Sequence, residues 1–163
     1  MVQISTGSPL GSSVSMNELV GTDLTIGSRV ILFGLDYDSI GQGTWVFPVN
    51  TSQHFSSACQ NSTTADGDNI SFKVWLAKGT YSITLDYWKN NNQGIIKIDI
   101  DGTTVMTVDQ YNSSATSNMQ TTETGINVST SGLKTITFKV DGKNASSSDY
   151  WGVFSAIIIR RTG

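Results

Sequence analysis

Two short stretches of this chain combine flat rings with hydrogen-bonding amides: "DYWKNNNQG" from Asp86 to Gly94, and "DYWGVF" from Asp149 to Phe154. Rings stack on the apolar faces of sugars, and side-chain amides bond their hydroxyls. Tyr87, Trp88, Asn90, Asn91, Asn92, Gln93 and Trp151 are therefore the candidate residues of a carbohydrate site. The same composition also describes the end of a buried strand. Period-two alternation separates the two rings of the first stretch, placing Tyr87 inward with Ile83 and Leu85, and Trp88 outward with Thr84 and Asp86. Trp75 falls on the outward set of the preceding strand, which would give it a common outer face with Trp88. An outward tryptophan either stacks on a sugar or packs beneath a loop or a neighbouring subunit, and both readings stay open for Trp88 and Trp151.

Other residue types offer less chemistry. His54 is the only histidine and Cys59, five residues on, the only cysteine, so a nucleophile and its base would have to meet inside "QHFSSACQ". The simpler reading is a loop or strand-end histidine near a buried thiol. Carboxylates occur in near pairs at Asp36 and Asp38, Asp66 and Asp68, and Asp99 and Asp101. Calcium takes six to eight oxygen ligands, and the Asp36–Asp38 and Asp66–Asp68 loops are weak candidates to begin such a shell. Asp and Gly in those loops equally well make turns. A glycosidase needs two carboxyl groups facing each other across a cleft, and nothing singles out a pair in a chain whose only glutamates are Glu18 and Glu123. No phosphate loop is present, since Gly41 to Gly43 does not lead from a strand into a helix. The expectation is a binding or structural protein without catalysis, cofactor or bound metal.

The elements that must hold these residues read as strands. In "NISFKVWLAKGTYSITLDYWK", Ile70, Phe72, Val74 and Leu76 alternate with polar neighbours, and after Lys78-Gly79 the alternation resumes at Tyr81, Ile83, Leu85 and Tyr87. That pattern predicts a hairpin about Lys78-Gly79. Asp101-Gly102 predicts a type I′ turn, in whose two-residue register Ile98 faces Val105 and Ile96 faces Thr107. "LKTITFKVDGKN" supplies Ile136, Phe138 and Val140 inward and a second Asp-Gly turn at Asp141-Gly142. The run "WGVFSAIIIRRT" is apolar on both faces, as for a strand covered on both sides. Weaker strand signals lie in "RVILFGL", "GTWVFPV" and "TGINVST", and a short helical turn is plausible near Met16 to Leu19. Eight or nine short strands predict an all-β, antiparallel two-sheet jelly-roll β-sandwich over residues 26–163. Residues 1–25, with little periodicity, are expected to form a flexible or partner-bound N-terminal arm.

Composition narrows the class. The chain has 163 residues, of which 37% are hydrophobic, enough for one core. Charged residues are only 14%, against roughly 25% in ordinary soluble domains, and Ser and Thr supply about a quarter of the chain. A net charge of −3 gives no basic footprint for nucleic acid and none for a membrane surface. No stretch is long and apolar enough to insert in a membrane. The N-terminal stretch lacks the charged and apolar regions of a signal peptide, so synthesis in a cytoplasm is expected. Six Asn-x-Ser/Thr sequons occur, which polar composition accounts for without glycosylation.

From Asp66 to Thr162 the chain resembles a module recurrent in virion proteins of tailed bacteriophages, found in fibres and other surface components. The resemblance is carried by "KGTY", "NNQGIIKIDIDGT", "TSGLKTITFKVDGKN" with its following Ser-rich turn, and the closing "RRT". It implies a β-sandwich similar to carbohydrate-binding modules, serving in capsid decoration, a head fibre or a tail fibre at the virion surface. It further implies other virion proteins as partners, a homo-oligomer of trimeric type, and a possible host-surface glycan. It transfers no catalytic and no sugar-binding residue. The competing reading is a carbohydrate-binding module or lectin-like receptor binder built on the residues named at the outset.

Overall fold

The computed structural model describes residues 26–163. The expected arm over residues 1–25 and the turn near Met16 to Leu19 lie outside the described residues. Twelve strands follow in order: β1 (Arg29–Leu32), β2 (Ser39–Gln42), β3 (Trp45–Val46), β4 (Cys59–Asn61), β5 (Asn69–Leu76), β6 (Gly79–Lys89), β7 (Gly94–Ile100), β8 (Thr103–Asp109), β9 (Thr116–Val128), β10 (Gly132–Lys143), β11 (Val153–Phe154) and β12 (Ala156–Arg161). They form a four-stranded sheet of order β1-β12-β6-β9, a five-stranded sheet of order β2-β5-β10-β7-β8, and a small sheet of order β11-β4-β3. All the strand pairs are antiparallel. The all-β sandwich expected from the alternation is the fold.

The core lies between the two large sheets. Ile70, Phe72 and Leu76 from β5, and Ile96, Ile98, Ile136, Phe138 and Val140 from β7 and β10, face Tyr81, Ile83, Leu85, Ile157 and Ile159 from β6 and β12, all at most 1% exposed. Phe154, from β11 of the small sheet, packs into the same core with its ring centroid 4.6 Å from that of Phe138, while Trp45 meets Phe138 edge-on at 5.8 Å. The edge-on contact is an arrangement that ring quadrupoles favour.

Five expectations about the elements are corrected. Lys78-Gly79 is not a hairpin turn, because β5 and β6 belong to different sheets. Each strand turns its apolar row toward the common core from its own side, and the Tyr81 hydroxyl ties the corner by donating to Ala77 O at 2.8 Å. Consequently Trp75 and Trp88 sit on strands of opposite layers and share no outer face. Asp101-Gly102 does form the expected turn, with φ of 48° and 80°, yet Ile98 pairs with Met106 and Ile96 with Val108 across a bulge at Ile98/Asp99. The extra residue turns Met106 and Val108, which are 2% and 5% exposed, into the core.

The second Asp-Gly, at Asp141-Gly142, is no turn either. It lies within β10, where pairing to β7 shifts between Val140 and Lys143 and Gly142 takes a φ of 93°. β12 runs between β1 and β6, but only one of its faces is fully covered: Ile157 and Ile159 are buried, whereas Ile158 is half-exposed on the outer side.

Candidate functional site

The amide-rich stretch after β6 becomes a turn whose backbone holds three loops together. Gln93 N–H closes the turn on Asn90 O at 3.4 Å, and Asn90 N–H reaches Gln110 O at 3.2 Å. On the other side Ser148 N–H donates to Asn91 O at 3.0 Å, and Trp151 N–H donates to Asn92 O at 3.2 Å. Gln93 and Trp151 form a parallel bridge, as do Asn90 and Tyr111. The two aromatic-amide stretches, far apart in sequence, therefore stand side by side at one end of the sandwich.

Their side chains divide into three roles. Tyr87 is core: it is 2% exposed, and its hydroxyl meets Thr121 Oγ1 at 3.0 Å. The candidate stacking role given to it is withdrawn, because a ring sealed between two sheets offers no face to a ligand. Gln93, 3% exposed, is likewise structural. Oriented by its partners, its amide oxygen accepts from Trp88 Nε1 at 3.0 Å and its nitrogen donates to Trp88 O. Asn90 Oδ1 accepts from Asn91 N–H at 2.9 Å and so serves its own loop. Trp88 and Trp151 are half-buried, Asn92 is half-buried and Asn91 is exposed. Among the described residues, no side-chain hydrogen bond ties down Asn91 or Asn92. The rim presents the pinned Trp88 indole, the Trp151 ring on its bonded backbone, and two amides.

Sequence reasoning missed two neighbours. Tyr111 follows β8 in "DQYN", the same mixture of ring and amide, and is drawn in by the Asn90 bridge. Tyr150 precedes Trp151, is half-buried against the core, and carries Lys143 Nζ 4.7 Å from its ring centroid. The "DQYN" composition was the available signal for the first.

The four weak calcium candidates do not converge. Asp36 Oδ2 accepts from Phe33 N–H at 2.9 Å, and Asp38 Oδ2 accepts from Lys73 N–H. Asp66 Oδ1 accepts from Gly142 N–H at 2.7 Å. Asp68, 1% exposed, accepts through Oδ2 from Asn61 Nδ2 at 2.8 Å, Thr63 Oγ1 at 2.7 Å and Ala65 N–H at 3.1 Å. These carboxylates are bound to loop backbone and neighbouring side chains, and among the described residues no three His, Cys, Asp or Glu groups are placed to hold a metal.

Cys59 is fully buried, and burial pushes its thiol far above its ordinary range, which removes the thiolate that nucleophilic chemistry needs. His54 does something the sequence did not suggest. Its Nδ1 lies 2.6 Å from Oδ2 of Asp86, a side chain with no exposure, and Gln120 Nε2 donates to the same oxygen at 2.8 Å. Asp86 is outward on β6 as alternation requires, but the loop carrying His54 covers it.

No family model and no curated protein matches the chain. Solved structures do. The chain is similar to the CBM36-1 domain of a multidomain xylanase from the hindgut metagenome of Trinervitermes trinervoides, at 21% identity and a TM-score of 0.65, over 83% of this chain and 99% of that one. A family 35 carbohydrate-binding module from Clostridium thermocellum gives 19% identity and a TM-score of 0.59, over 81% and 97%. Paenibacillus xanthan lyase gives 22% and 0.67, where 87% of this chain corresponds to 14% of the enzyme. At such identities the likeness establishes a shared fold, the β-sandwich of carbohydrate-binding modules.

Proposed function

We propose that this chain is a non-catalytic glycan-binding domain whose binding rim is formed by Trp88, Trp151, Asn91 and Asn92. The observation that carries this reading is the convergence of the two aromatic-amide stretches, with the Trp88 indole N–H fixed by Gln93 and Gln93 bridged to Trp151. A ring whose polar edge is already bonded inside the protein keeps its π-face for an apolar partner, and holding it in place beforehand reduces the entropy lost on binding. Asn91 and Asn92 then supply donors and acceptors to sugar hydroxyls. The fold shared with carbohydrate-binding modules supports the reading.

Virion assembly rests on different ground. The "KGTY", "KIDIDGT" and "KVDGKN" motifs are here a sheet-crossing corner, a bulged hairpin and a strand bulge, so the sandwich accounts for them by itself. No residue described above favours assembly over glycan binding.

The test is a glycan array with the full chain and with Trp88→Ala, accompanied by thermal melts. Binding by the parent that disappears in the variant, at a nearly unchanged Tm, is the expected result. A variant that binds as the parent does would remove the rim from consideration, and a collapsed fold would make Trp88 a packing residue.

A further inference from the structure

The chain contains three arginines, Arg29, Arg160 and Arg161, and the fold brings all of them to the β1–β12 pair. Arg161 has a structural task, with Nη2 donating to Lys78 O at 3.0 Å and Nε to Gly163 O at 3.3 Å. Among the described residues, no such bond is made by Arg29 or Arg160. They are direct cross-strand partners and both exposed, so their side chains project from the same face of the sheet, where like charges directly opposite each other are unfavourable. Among the described residues neither guanidinium has a carboxylate partner, although the chain as a whole carries a net charge of −3.

These two side chains border a groove of about 500 Å³ on the outer face of the four-stranded sheet. The half-exposed Ile158 forms part of its floor, and Ser82, Thr84 and Thr122 supply hydroxyls along it. Thr84 and Thr122 are already oriented by a mutual 2.7 Å hydrogen bond between their Oγ1 atoms. The volume falls in the range of roughly 300 to 1,000 Å³ typical of small-ligand sites. Thr84, the groove residue of β6 nearest the rim, lies four positions from Trp88, about 13 Å at the rise of a strand, and Ser82 lies about 20 Å away, so the groove is distinct from the rim.

We propose that this groove is a second binding site, taking a glycan segment that carries a carboxylate, with Arg29 and Arg160 holding the carboxylate. The planar guanidinium fork matches a carboxylate in paired, charge-assisted hydrogen bonds. An anion between the two arginines converts their repulsion into attraction. Ile158 offers an apolar surface to the C–H face of a sugar ring, and the threonine and serine hydroxyls meet its hydroxyls. The identification of the ligand as a glycan rests on the reading given under Proposed function; the requirement for an anion rests on the arginines alone.

The test is calorimetric titration of the full chain at low salt with trigalacturonate and with the same trisaccharide after carboxyl reduction. Parent, Arg29→Gln/Arg160→Gln and Trp88→Ala proteins are compared after their Tm values are matched. The expected result is binding of trigalacturonate by the parent, about ten-fold weaker in the double variant and for the reduced sugar, as loss of a charged hydrogen bond implies, and unaltered in Trp88→Ala. Added salt should weaken it. Absence of trigalacturonate binding, equal binding by the double variant, or loss in Trp88→Ala alone would each overturn the proposal. If array ligands are lost in Trp88→Ala and kept by the arginine variant while trigalacturonate fails, the groove falls and the rim stands. A blank array with arginine-dependent trigalacturonate binding leaves the groove and removes the rim.

Discussion

Asn61 shows how much of this site depends on one side chain that no ligand would touch. It is fully buried; its Oδ1 accepts from Gly152 N–H at 2.8 Å, and its Nδ2 donates to Asp68 Oδ2 at 2.8 Å and to Tyr150 O at 3.1 Å. Its amide thus anchors the segment that carries Trp151 to the loop that begins at β4. Replacement by alanine strands a buried N–H and weakens the shell of a buried carboxylate, each at about 1–3 kcal/mol. Asn61→Ala is therefore expected to lower the Tm by several degrees and to reduce glycan binding although Trp88 is intact. Chemical denaturation together with a binding titration checks both; full affinity in a destabilised variant would show that the Trp151 loop is held by other means. Side-chain hydrogen bonding of this kind is not legible in a sequence. Alternation placed Tyr87 inward correctly, but whether a residue of the other parity is wet depends on which loop folds over it. Asp86 illustrates the gap: outward by parity, fully buried in fact, because His54 reaches it from a segment 32 positions away in sequence.

At the scale of elements, the outer face of the five-stranded sheet is braced by ion pairs. Asp141, at the β10 bulge, meets Lys97 on the neighbouring strand and Lys139 on its own; Asp101, in the β7–β8 turn, accepts from Thr135 N–H at 2.9 Å and meets Lys134. Lys97 first and then Lys139 hold the Asp141 carboxyl below its usual range, and for Asp101 the Thr135 N–H is the largest cause. A depressed folded-state pKa contributes stability above the unfolded value of about 4 and loses it as pH falls through the folded value. Asp101→Asn/Asp141→Asn should be slightly less stable than the parent at pH 7, by under about 1 kcal/mol because both carboxylates are partly exposed. That difference should vanish near pH 2, and melting curves between these limits decide it; a constant offset at every pH would assign the effect to packing. The apolar rows of β5, β6, β7 and β10 could be read from alternation because that signal is local. Their grouping into sheets could not. Lys78-Gly79 has the composition of a hairpin turn, and only the pairing of β5 with β10 and of β6 with β12 and β9 makes it a corner. The bulges at Ile98/Asp99 and Asp141-Gly142 escaped for the same reason, since each answers to a partner strand.

The two large sheets share one core, with no apolar layer belonging to either alone. Phe72 and Ile98 of one sheet and Leu85 and Ile157 of the other are all fully buried, so neither sheet retains a covered face without its partner. Unfolding in urea is expected to be a single transition, with tryptophan fluorescence and far-ultraviolet dichroism giving the same midpoint. Distinct midpoints would mean that the sheets separate before they melt. The all-β class was visible in the chain from its alternation and its shortage of charge. The groove was not, because its arginines stand at opposite ends of the strand region and become neighbours only through the β1–β12 ladder.

That ladder also sets an order in time. β12 lies between β1 and β6 and pairs with both, from Arg29↔Arg160 on one side to Ala156↔Asp86 on the other. A ribosome emits β1 and β6 long before the strand that must separate them. Until Arg161 has left the exit tunnel, the edge of β1 that pairs with β12 has no partner among the described residues, and contacts between such distant segments are slow to close. The nascent chain must therefore hold β1 apart from the exposed edge of β6, a collapse that would shut β12 out, and the groove comes into being only with the final strand.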